Sequence, residues 1–221
     1  MDLPQLVPTI AIYALPVLFA ITLHEASHGY VARHFGDMTA YAQGRISLNP
    51  ARHIDPVGTV ILPIAILVAS ELAGTNGFLF GWAKPVPVNY SALKRPKQNM
   101  LWVAAAGPAA NLAMALGWAA LYKVADLLPA NDYTAPLQLM GAAGIKVNVV
   151  LMVLNLIPIL PLDGGRILAS LLPGRLAWRY AKLEPWGLPI LLLLLFSNVL
   201  GVILAPMVKM SFQVIEAMFQ F

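Results

Sequence analysis

The chain has 221 residues, 59% of them hydrophobic and 11% charged, with a mean hydropathy of +0.74; a soluble domain carries about 25% charged residues, so a water-facing surface is excluded and a bilayer is the expected solvent. The net charge of +4 is dispersed over short loops, as positive charge retained on a cytoplasmic face would be, and gives no reason to expect nucleic acid. With no cysteine, disulfides and thiolate metal sites are excluded, and any metal must use histidine and carboxylate.

Crossing the hydrocarbon core takes about 20 mostly apolar residues as a helix. Leu6 to Leu23 is uncharged, lacks the basic leader and cleavage pattern of a removed signal, and predicts a retained span continuing through His24, Glu25 and His28. Val57 to Ala83 is apolar apart from Glu71 but is interrupted by Pro63, Gly74 and Gly77. Lys84 to Asn89 is extended by Pro85 and Pro87 and suits an edge strand. Three further spans are predicted over Met100–Tyr122, Gly141–Leu162 and Gly187–Val208. Ile167 to Leu183, with Arg175, Trp178, Arg179 and Lys182, reads as a basic interfacial helix, and Met207 to Phe221 as a second.

Loop charges orient these elements. Lys84, Lys94, Arg95 and Lys97 precede one span, while Arg166, Arg175, Arg179 and Lys182 follow the next. Both clusters should be cytoplasmic, as should Arg33, Arg45 and Arg52 after the first helix. Parity then requires an even number of crossings between Arg52 and Lys84. The expected fold is an all-α polytopic membrane protein, one domain over 1–221. It has four transmembrane helices, a re-entrant hairpin or two short helices over 57–83, and a small extended segment near the active site.

His24-Glu25-Ala26-Ser27-His28 is an HExxH motif on a helix. Residues four apart share a face, so both imidazoles can bind one Zn²⁺. Glu25, about 100° around the helix, can reach a water on the open coordination position. A catalytic zinc also takes a third protein ligand, here an Asp, Glu or further His at the same depth. Asp163 closes a span running parallel to the first and lies at comparable depth. Pro158, Pro161, Gly164 and Gly165 break the helix around it, and irregular backbone at membrane depth is tolerated only inside protein or along a cavity. Capping a helix, or pairing with Arg166, is the alternative role for Asp163.

Taken in order, HEASH, GPAAN at Gly107–Asn111 and NLIPILPLDGG at Asn155–Gly165 resemble the HExxH, GPxxN and NxxPxxPxDGG signatures of the site-2 protease family of intramembrane metalloproteases. Gly44–Thr59 and Gly81–Asn89 look like its compact prokaryotic branch, and 221 residues leave no room for the PDZ or CBS domain many relatives add. The resemblance implies that His24, His28 and Asp163 bind one zinc per chain and that Glu25 is the catalytic base. It also suggests that Asn155 holds or polarises the substrate, although an interhelical hydrogen bond is an alternative role.

Asn111 sits among small residues as helix-packing glue, a support for the ligands, or a substrate contact. Val86 and Val88 would pair with an unwound substrate by strand addition. The function expected is hydrolysis of membrane-anchored proteins in or near the bilayer, by a multi-pass cell-membrane protein whose active site faces the cytoplasm. A zinc transporter and an inactive protease-like scaffold are the alternatives. Transport gives no reason for a Glu beside the first His, and the intact His, Glu, His and Asp set argues against a scaffold. Substrate identity, regulation and oligomeric state are not legible.

Overall fold

The computed structural model describes residues 3–61, 65 and 83–221. Helix α1, Leu3–His34, is apolar over most of its length and carries Pro8 and Pro16 within it. It stops at Gly36, whose φ of +104° is a conformation only glycine adopts at no steric cost. There Gly36 N–H bonds Arg33 O at 3.0 Å and Asp37 N–H bonds Ala32 O at 3.0 Å, which satisfies the last carbonyls of the helix. A single turn of helix, α2 at Thr39–Ala42, follows.

Helix α3, Pro96–Leu127, begins with proline at its first turn, where no amide hydrogen is needed. Helix α4, Thr134–Asn155, returns antiparallel to it after a turn in which the Asn131 side chain accepts from the Tyr133 and Thr134 amides. These two helices make the most extensive pairing, and α1 packs across both. Their shared core is Ala115, Ala119, Ile145, Val149 and Val153, joined by Ile215. The alanines matter, because helices in lipid gain stability from close packing rather than from exclusion of water.

Four described helices are long and apolar enough to cross a membrane: Pro8–His34 within α1, then α3, α4 and Val199–Phe219. An all-α polytopic membrane protein is therefore what this chain forms. The expected hairpin or helix pair over 57–83 lies mostly outside the described residues, as does Glu71.

Three boundaries differ from expectation. The span expected over Gly141–Leu162 begins earlier and ends at Asn155, because Pro158 and Pro161 can neither donate to a helix nor let it continue. After the turn, α5 runs over Asp163–Leu171 and α6 over Gly174–Ala181. The basic stretch expected as one helix is thus split at Leu172-Pro173. The span expected over Gly187–Val208 is two helices, α7 at Glu184–Phe196 and α8 at Val199–Phe219. They break at Asn198, which sits at φ 60°, a left-handed position that asparagine tolerates better than most residues. The run of leucines before it is apolar on every side, so nothing in its hydropathy marks the break. Helix α8 absorbs all but the last two residues of Met207–Phe221, which had read as a separate interfacial helix.

Among the described residues there is no β-strand. Residues 83–89 form an arm without regular secondary structure, fastened singly rather than in a ladder. Lys84 N–H bonds His53 O at 2.9 Å. The Arg45 guanidinium donates to the Lys84 and Pro85 carbonyls at 2.9 and 3.3 Å. Asn89 N–H bonds Asp37 Oδ2 at 2.6 Å. The arm is thereby tied to both ends of the loop that follows α1.

Candidate metal centre

His24 and His28 lie one turn apart on the same face of α1, and Asp163 is the first residue of α5. All three are buried. Their donor atoms converge: Nε2 of His24 and Nε2 of His28 are 3.2 Å apart. Asp163 Oδ2 is 3.2 Å from His24 Nε2, and Oδ1 is 3.4 Å from His28 Nε2. Among the described residues this is the one group of three or more such side chains able to hold a metal ion together.

The donor set fits zinc on three grounds. Ligands about 2.0–2.1 Å from a tetrahedral Zn²⁺ stand roughly 3.3–3.4 Å from one another, close to the spacings seen here. The Nδ1 atoms are both committed, His24 Nδ1 against Asn111 Oδ1 at 2.6 Å and His28 Nδ1 against Val103 O at 2.7 Å. Oxygens of that kind only accept, so each neutral ring carries its proton on Nδ1 and turns a bare Nε2 lone pair inward. Two such lone pairs and a carboxylate facing each other repel unless a cation lies between them. Finally, Asp163 Oδ2 is buried with no hydrogen-bonded partner, an orphan that a metal would satisfy.

Space at the centre is kept by Gly107 on α3. A Cβ on that residue would stand 2.5 Å from His24 Cε1 and 2.6 Å from each Nε2. The glycine of GPAAN thus lets α3 approach α1 over the two rings.

The remaining expected site residues occupy distinct places. Glu25 is partly buried beside the ligands, and its Oε2 accepts from Val86 N–H at 2.8 Å, so the arm at 83–89 reaches the motif directly. Val86 is 7% exposed and points at Gly29 of α1. Val88 packs against Ala32, Leu93, Met100 and Val103. Both side chains turn into the protein, while Lys84, Pro85 and Asn89 of the same arm are exposed. Asn155, partly buried at the end of α4, donates to Leu151 O at 3.0 Å. Asn111 is 0% exposed and sits behind His24, with its Oδ1 2.6 Å from the ring's Nδ1.

Three residues that the sequence did not mark as part of the site lie around it. Asn148 is 0% exposed and accepts from Asn111. Arg45 and Asp37 fasten the arm that touches Glu25. Asn148 carries a legible signal, a polar residue inside an apolar helix. Asp37 and Arg45 sit in loop composition that gives none.

No family model matches the chain, and no solved structure does. Curated relatives do. A protein of Bacillus subtilis (strain 168) named "Putative zinc metalloprotease YwhC" is 36% identical over 200 residues, covering 88% of this chain and 84% of its own. A relative described in the same words, Rip2 of Mycolicibacterium smegmatis, is 27% identical over 188 residues, covering 83% of this chain and 66% of its own. At 36% identity over 88% of its length, this chain, a multi-pass membrane protein with a site suited to zinc, belongs to that family of zinc metalloproteases.

Proposed function

We propose that the chain is an intramembrane protease of the site-2 type, which hydrolyses peptide bonds of membrane-anchored proteins at the cytoplasmic end of its helix bundle. One observation carries this reading: the metal-ligating histidines stand inside a membrane-length helix. His24 is about 24 Å beyond Pro8 at the helical rise, and the span ends at His34. The third ligand follows directly on another such helix, α4. Positive charge in the loops flanking these ends supports a cytoplasmic orientation.

The roles follow from the chain's own groups. His24, His28 and Asp163 would hold Zn²⁺, which when bound supplies a Lewis acid for the scissile carbonyl and acidifies water. Glu25 takes the proton of the attacking water as its oxygen bonds the carbonyl carbon. It delivers that proton to the departing amide nitrogen as the C–N bond breaks. Val86 N–H holds one carboxylate oxygen of Glu25 and leaves the other to face the water. Asn155 holds or polarises the substrate carbonyl at the mouth of the site. A helical substrate must unwind before its carbonyls are reachable, and the arm at 83–89 offers backbone along which the unwound strand lies.

The test is reconstitution of the purified protein in liposomes with a single-span substrate, comparing wild type with Glu25→Gln. Cleavage within or next to the span should be zinc-dependent and fall by about 10²–10⁴-fold in the variant, with zinc content unchanged. Cleavage restricted to soluble peptides, or zinc flux that survives the substitution, would count against the proposal.

A further inference from the structure

We propose that Asn148 is a positioning residue for the metal centre: through Asn111 it holds His24 in the tautomer whose Nε2 is free to bind zinc. This rests on the metal centre itself and is independent of where in the bilayer a substrate is cut.

The contacts form a relay with a fixed anchor. Asn148 Nδ2 donates to Gly144 O, one turn back on α4, at 2.9 Å. A main-chain carbonyl can only accept, so the Asn148 amide is oriented with Oδ1 pointing away from its own helix. That oxygen accepts from Asn111 Nδ2 at 2.9 Å, and the same Nδ2 lies 3.4 Å from Ala20 O on α1. Asn111 is thereby turned with its own oxygen toward His24 Nδ1, 2.6 Å away. An amide oxygen there requires the ring proton on Nδ1, and Nε2 is left as a lone pair.

Both asparagines are 0% exposed, so water cannot repair a reversed amide. Reversal of either one would set donor against donor. Without the Asn148 oxygen, the Asn111 NH₂ group keeps only the longer contact to Ala20 O, and the opposite orientation becomes accessible. In that orientation an NH₂ faces Nδ1, selects the Nε2–H tautomer and blocks coordination. His28 provides an internal contrast. Its Nδ1 meets the main-chain carbonyl of Val103, which cannot turn over. One ligand is therefore fixed by backbone and the other by a two-residue relay from α4, the helix that leads to Asp163.

The experiment uses the full chain in detergent, zinc-free and then titrated with zinc against a competing chelator. Asn148→Leu should weaken zinc binding by about 10–100-fold, the range for loss of an outer partner of a ligating histidine. Asn148→Asp, whose carboxyl oxygen still accepts from Asn111, should bind zinc nearer to wild type than Asn148→Leu does. In zinc-free protein with ¹⁵N-labelled histidine, wild-type His24 should carry its proton on Nδ1. Asn148→Leu should move it toward Nε2 while His28 stays as it was. A structural defect would instead disturb both rings alike, and that outcome overturns the proposal, as does wild-type zinc affinity in Asn148→Leu. If Asn148→Leu does not fold, the wild-type spectrum decides: His24 found as the Nε2–H tautomer refutes the relay.

Discussion

Substituting Gly107 by alanine adds one methyl group at the point where the two ligating rings meet. Its carbon would start 2.5–2.6 Å from His24 Cε1, His24 Nε2 and His28 Nε2, whereas non-bonded carbon contacts settle near 3.5–4.0 Å. Relief therefore needs a displacement of about 1 Å. The rings cannot supply it freely, since each is held from behind by a short bond, at 2.6 and 2.7 Å. Zinc–ligand distances tolerate only about 0.2 Å, so the donor atoms would leave coordination range.

Zinc affinity should fall by at least about 100-fold, the upper end of what a lost outer partner costs. Stability should change less. Alanine gains roughly 1 kcal/mol over glycine in a helix interior, while overpacking costs about 1–3 kcal/mol, and these partly cancel. Gly117→Ala, also in α3 but with nothing within 4 Å of its added Cβ, is the matched control and should keep full zinc affinity. Zinc binding is read by chelator competition and stability by thermal unfolding of the zinc-free protein. Wild-type zinc affinity in Gly107→Ala would refute the reasoning, because the rings would then have room the geometry denies them.

Two further outcomes follow from the same contacts. Asp163→Asn removes charge and a ligand but little volume, so zinc affinity should drop by more than about 100-fold. Zinc-free stability should hold within about 1 kcal/mol, since Oδ2 already lacks a hydrogen-bonded partner; chelator competition and thermal melts check both. Arg45→Ala frees the Lys84 and Pro85 carbonyls and loosens the arm whose Val86 amide holds Glu25. Peptide hydrolysis should fall about 10-fold while zinc content stays at one per chain; a parallel loss of zinc would show that Arg45 acts on the ligands instead.

Legibility in the sequence followed the reach of each interaction. His24 and His28 were readable because four residues of helix are enough to bring two side chains to one face. Asp163 was readable as a candidate because the irregular, proline-broken segment around it had to be sheltered at membrane depth. Proline and glycine force the helix ends at Asn155 and Gly36, but the span that ends at Asn155 was expected to run on to Leu162. The break at Asn198 was not readable, because the leucine run before it is equally apolar on all sides. Val86 and Val88 were read as pairing with a substrate strand, and which way their side chains turn was not legible; they pack inward. Which face of an extended segment is covered depends on what lies beside it.

By itself the sequence determined the solvent, the all-helical class, and the types of group available to a metal, because composition and local spacing fix these without reference to distant residues. Only the tertiary structure decided that α1, α3, α4 and α5 meet at one point. It also decided which oxygen faces each Nδ1, which amide steadies Glu25, and why a glycine must stand over the pair. Those properties depend on separations of a few tenths of an ångström between residues scores of positions apart, such as Asn111 and His24. Chain order carries no measure of such distances, whereas packing sets them.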